Sequence, residues 1–231
     1  MKIKHIPDGK LKDFLRGGVK LLNKGKYDRY VKTIRERSEA LPPFSLLTSD
    51  CMAGLIYHTM GRQFLSPTIN MSIRDPDYLK LLSDFDYYFE HDIEFVDSPL
   101  YPIGYIGEGD KRIKINFEHF KTNEEAQEKW YARRKRMTDN IFVVAADQNL
   151  TEEQMEQFCR LEERLPVKRK VMFTWNPERA DGKEIVCVKS YGRDRIKNWS
   201  KIRPDGFRDY EVFFDYVAWL NMEDDFMLEQ A

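Results

Sequence analysis

Six consecutive residues, Ser49-Asp50-Cys51-Met52-Ala53-Gly54, set a hydroxyl, a carboxylate and a thiol at a turn of small side chains. The apolar run Phe44–Thr48 precedes them and a helical pattern, Leu55–Met60, follows. A strand that breaks into a helix in this way aims backbone N–H groups at the turn, which favours an anion and lowers the pKa of a thiol there. Cys51 is thus a candidate nucleophile, Asp50 a candidate acid–base group, and Ser49 and Gly54 candidate ligand contacts. His58 lies two helical turns on, so it points away from Cys51. His119, at the end of another extended segment, is the better base.

Two more strand ends carry polar groups. Ile141–Ala146 runs into Asp147-Gln148-Asn149, and Lys170–Thr174 into Trp175-Asn176. Ligands of open α/β sheets sit beyond the carboxyl ends of the strands. If these strands are parallel, Asp147 joins Asp50, Cys51 and His119 as a catalytic candidate, and Asn149 and Thr174 join the ligand contacts. Asp147 is then expected in the open mouth of the sheet, sharing a crevice with Asp50 and tolerating truncation. Trp130, Arg133 and Arg136 recur on one helical face, offering a stacking surface and cationic forks for a base, sugar or phosphate.

No metal set is legible. Cys51, Cys159 and Cys187 lack paired ligand spacing. Asp75-Pro76-Asp77 matches an Asp-x-Asp metal pattern, but an acid before Pro at a helix start is explained by capping. The glycine-rich dinucleotide fingerprint is missing, and the sequence names no cofactor.

The elements that must position these groups alternate. Strands are expected at Phe44–Thr48, Thr68–Ile73, Ile93–Val96, Ile103–Ile106, Ile113–Phe117, Ile141–Ala146, Lys170–Thr174 and Ile185–Lys189, the segments within 93–120 lying at a sheet edge. Helices are expected after Asp75, after the capping boxes Thr122/Glu125 and Thr151/Gln154, and over Asp209–Asn221. The continuous apolar run Ile141–Ala146 suits a central strand covered on both faces. Strand–helix alternation implies βαβ units and a mostly parallel sheet. The expected architecture is α/β and Rossmann-like, with residues 43–231 as the α/β domain and residues 1–42 as a preceding basic helical hairpin that turns near Gly25.

Charge is segregated: residues 1–40 carry twelve Lys/Arg against five Asp/Glu, while residues 209–231 carry seven Asp/Glu and no Lys/Arg. The two ends either pack together or face separate partners. The basic hairpin either docks its apolar stripe on the domain or lies on an anionic membrane surface. Residues 189–203 are also basic and suit a loop that closes over an anionic ligand. The formal net charge of −1 and the lack of a recognised motif argue against nucleic acid as a partner. No apolar run reaches membrane-spanning length and no secretory signal opens the chain, so a cytoplasmic protein with at most peripheral membrane contact is expected.

An ordered set of residues resembles a known family. It includes Thr48 to His58, Ser66-Pro67-Thr68-Ile69-Asn70, Pro76-Asp77-Tyr78, Tyr101-Pro102-Ile103-Gly104, Asn116 to Phe120, Lys129-Trp130 with Arg133 and Arg136, Asn140-Ile141-Phe142, and Leu165-Pro166. The set is similar to an uncharacterised bacterial family usually labelled exopolysaccharide or capsular polysaccharide biosynthesis protein, over roughly residues 43–220. The resemblance implies a Rossmann-like layered fold and a polysaccharide-synthesis setting. It transfers no catalytic residues. It departs at Met52-Ala53-Gly54, where tryptophan and a glycine pair are usual, and at Asp50, where asparagine is common. The expected function is binding of, or transfer from, a nucleotide-sugar or phosphorylated glycan precursor. The alternative is a non-catalytic binding or assembly protein that contacts other polysaccharide-synthesis proteins.

Overall fold

A computed structural model describes residues 10–148, 150–188 and 199–228, with the side chains of residues 10–22 excepted. Asn149 and most of the basic loop expected to close over a ligand, residues 189–198, lie outside the described residues.

The fold is α/β, with two four-stranded sheets among the described residues. The first is wholly parallel, in the order β1 (Ser45–Thr48), β6 (Ile141–Ala146), β7 (Val167–Thr174) and β8 (Ile185–Cys187). It is the Rossmann-like layer expected from the sequence. The second is antiparallel, in the order β2 (Ser72–Ile73), β5 (Ile113–Asn116), β4 (Ile103–Ile106) and β3 (Glu94–Val96). The segments expected at an edge of the main sheet thus form a sheet of their own. Short strands joined by Gly-containing turns close hairpins more readily than parallel crossovers.

Side-chain alternation along β6 divides the interior. Phe142, Val144 and Ala146 face one core, shared with Leu46, Val171 and Phe173 and with α2 (Met52–Met60) and α7 (Tyr216–Leu220). Ile141, Val143 and Ala145 face the other, shared with Leu47 and Met172. That core also takes in the second sheet, α3 (Asp75–Ser83), α4 (Phe85–Glu90), α5 (Asn123–Arg134) and α6 (Glu152–Cys159). Burial on both faces is why β6 carries no polar residue. β1 is an edge strand whose free side is closed by side chains. Tyr57 Oη accepts from Leu46 N at 3.0 Å and donates to Phe44 O at 2.6 Å, and Thr68 Oγ1 accepts from Thr48 N at 3.3 Å.

The N-terminal stretch is a single helix, α1 (Lys10–Ser38), without the turn expected at Gly25. One glycine costs a helix only about 1 kcal/mol, and the packing of residues after it outweighs that. Ile34 is buried in the first core. Tyr30 Oη donates to Tyr216 Oη at 3.0 Å, Arg35 Nε donates to Thr59 O at 3.1 Å, and Arg37 pairs with Asp215 at 2.8 Å. The basic and acidic ends therefore do pack together. Residues 23–38 thus pack directly against the α/β layers. The C-terminal stretch also folds back: Phe226 is buried and pairs with Asp215 through its backbone.

Candidate functional site

The carboxyl ends of β1 and β6 open into a cleft of about 920 Å³. The starts of α2 and α3, the residues flanking β2 and β5, and the segment Trp199–Arg208 complete its walls. At the end of β1, Thr48 Oγ1 donates to Asp50 O at 2.8 Å and accepts from Ala53 N at 3.3 Å. Asp50 Oδ1 accepts from Met52 N at 2.9 Å, and its Oδ2 accepts the indole N–H of Trp199. Burial pushes the Asp50 carboxyl up to about 6, against the pull of those two donors.

Cys51 is the N-cap of α2, and its Sγ lies 3.1 Å from His119 Nε2. The pairing of thiol and imidazole expected from the sequence is present, but the expected activation is not. Burial, then the Asp50 and Glu118 carboxylates, push the thiol up to about 12, so it stays protonated at neutral pH. Two nearby negative charges and loss of water outweigh one helix terminus.

Asp75 is the residue the sequence undervalued. The N-cap of α3 is Arg74, in an extended conformation, so Asp75 stands one position inside the helix beside Pro76. Its carboxyl is hydrogen-bonded by the Ser49 hydroxyl and the Gln148 backbone, and burial pushes it up to about 7, with Asp50 adding to the rise. Asp77 turns elsewhere, accepting from Lys114 N at 3.2 Å. The Asp-x-Asp pair therefore splits between the cleft and the second sheet.

Asp147 does not share the cleft. The two-residue strand period puts Ala146 on the cleft side and Asp147 on the opposite face, above the second core. Asp147 is buried there, accepting from Thr174 Oγ1 at 2.7 Å and pairing with Arg179 at 3.3 Å. Thr174 is consumed by the same contact and is fully buried. Both belong to the packing, and Gln148 takes the cleft position.

Other expected contacts are also structural. Trp130 is fully buried against Phe89 and Phe117. Arg133 is buried too, donating to Ile69 O at 2.7 Å between the rings of Phe64 and Phe120. Arg136 Nε bonds back to Ala132 O at 3.1 Å. Gly54 is needed for close packing, since a Cβ there would lie 2.9 Å from Ile69 Cγ2.

Glu118, Ser72, Arg74, Ser200 and Arg208 line the cleft without having been singled out. Only Glu118 carried a signal, as the neighbour of His119. Arg208 is distant in the chain, and its Nη1 donates to Ser200 O at 3.0 Å. Ser200 Oγ is buried without a hydrogen-bond partner among the described residues. The arrangement combines hydrogen-bonding carboxyls, guanidinium groups, an imidazole and hydroxyls in one concavity, a set able to hold a polar, hydroxyl-rich ligand bearing negative charge.

Residues 24–221 match the family described as Domain of unknown function (DUF1919). The chain is also similar to an "Uncharacterized protein" of Haemophilus influenzae. The two are 29% identical over 181 residues, covering 77% of this chain and 84% of the relative. Neither description assigns a chemistry. No helix among the described residues is long and apolar enough to cross a membrane.

Proposed function

The chain belongs to the family described as Domain of unknown function (DUF1919), and from that framework we propose that its cleft binds, and transfers from, a nucleotide-sugar or other phosphorylated glycan precursor. One observation carries the reading: Asp50, Asp75, His119, Arg74 and Arg208 line one cleft at the carboxyl ends of parallel strands. Carboxyl groups are matched to sugar hydroxyls, and the arginines to phosphate. Asp50 and Asp75, pushed up to about 6 and about 7, are poised to exchange a proton near neutral pH. The polysaccharide setting rests on the resemblance of Thr48–His58 and the segments that follow it. It gives the protein a cytoplasmic role, where sugar nucleotides are supplied, with contact to other polysaccharide-synthesis proteins.

The test is a thermal-shift screen of the full chain against sugar nucleotides, nucleoside diphosphates and sugar phosphates, with and without divalent metal. A member of these classes is expected to raise the melting temperature, and Arg208→Gln to reduce that rise. If no compound shifts the wild-type protein under either condition, the proposal fails.

A further inference from the structure

We propose that Cys51, Glu118 and His119 form a divalent-cation site, suited to zinc, on the wall of the cleft. One ligand atom from each residue lies within 4.8 Å of the other two, and the sulfur and imidazole nitrogen are 3.1 Å apart. Spacing in the sequence concealed the set, because the two halves come from different sheets. Cys51 follows β1 of the parallel sheet, whereas Glu118 and His119 follow β5 of the antiparallel one. The halves are held together where Ile73 N, on β2, donates to Ser49 O at 2.8 Å.

Sulfur, imidazole and carboxylate together match zinc's ligand preferences, and a thiolate disfavours magnesium and calcium. Three protein ligands leave a fourth position for water or a substrate oxygen. All three residues line the cleft, so that position would open onto it. A tetrahedral ion requires sulfur and nitrogen about 3.6 Å apart, so the pair must open by roughly half an ångström. Glu118 is exposed, and its carboxylate must move inward to complete the set. One of its oxygens already accepts from Ser72 Oγ at 2.8 Å, and Asn116 Nδ2 donates to Ser72 Oγ at 3.3 Å. Outer contacts of this kind orient metal-ligating carboxylates. Cys51 binds as the thiolate, so its proton is released to solvent when the metal enters.

The site does not depend on the glycan reading, because metal is detected without any substrate. Cobalt(II) titration of the full chain, purified with chelator, is expected to give a thiolate-to-cobalt charge-transfer band that saturates at an equimolar ratio and is abolished by zinc. Cys51→Ser should remove the band, while Cys159→Ser should leave it intact. Glu118→Gln and His119→Ala, both at exposed positions that leave folding intact, should each weaken zinc binding at least tenfold. Lack of a charge-transfer band in the wild-type protein, or a band that survives Cys51→Ser, overturns the proposal. So does rapid alkylation of Cys51 that zinc fails to slow, since the thiol and imidazole would then act as a pair with no bound ion.

Discussion

Asp75→Asn separates the carboxyl's charge from its shape. Folded, Asp75 ionises at about 7, because burial and Asp50 disfavour the anion. Unfolded, it ionises near 3.9. Below about pH 4 both states hold the proton, and the residue imposes no penalty. Between about pH 4 and pH 7 only the folded chain holds it, so stability falls as pH rises, and above about pH 7 the loss is complete. Taken whole, the gap is worth about 4 kcal/mol. Asp75 is only half-buried at the cleft edge, and solvent screening should reduce this to about 1–2 kcal/mol. Asparagine keeps the size and an acceptor oxygen for Ser49 or Gln148, but cannot ionise. Urea denaturation of both proteins from pH 4.5 to pH 8 is the assay. The variant should gain about 1–2 kcal/mol on the wild type across that range, with equal m-values. A difference that stays constant with pH would refute the reasoning, since Asp75 would then titrate normally.

Tyr57→Phe should cost about 2–3 kcal/mol in the same assay, because it leaves Phe44 O and Leu46 N buried without their partner; a cost within experimental error would mean that water replaces the hydroxyl at the β1 edge. Asp147→Ala should cost about 2 kcal/mol or more, through loss of the Thr174 and Arg179 contacts, without changing ligand-induced thermal shifts; a loss of ligand binding at unchanged stability would return Asp147 to the site. Gly54→Ala should cost about 1–3 kcal/mol, since the added carbon must displace the fully buried Ile69, and calorimetric melting would detect it.

Features that depend on near neighbours in the chain were legible before any fold was known. The apolar run of β6 marked a strand buried on both faces, the capping boxes at Thr122 and Thr151 started helices, and the break at Ser49–Gly54 placed a strand end against a helix start. These follow from local hydrogen bonds and from the periods of strand and helix, which are written along the chain. Asp50, Cys51, Ser49 and His119 were within reach of the same reasoning, because strand ends are where polar side chains escape the core. Tertiary structure decided which polar ends converge. Asp147 follows a strand more apolar than β1, yet its parity turns it toward the second core, and parity matters only once both faces of the sheet are occupied. Trp130 and Arg133 had the residue types of a ligand surface and became interior packing, because Phe89 and Phe117 close over Trp130 while Ile69 O, Phe64 and Phe120 enclose Arg133. Asp75, read as a cap, became a cleft acid when its helix start was pressed against Ser49 and Gln148. Glu118 and Arg208 reach the site from distant parts of the chain. Their approach is set by burial and side-chain packing summed over the whole fold, and no local pattern records that.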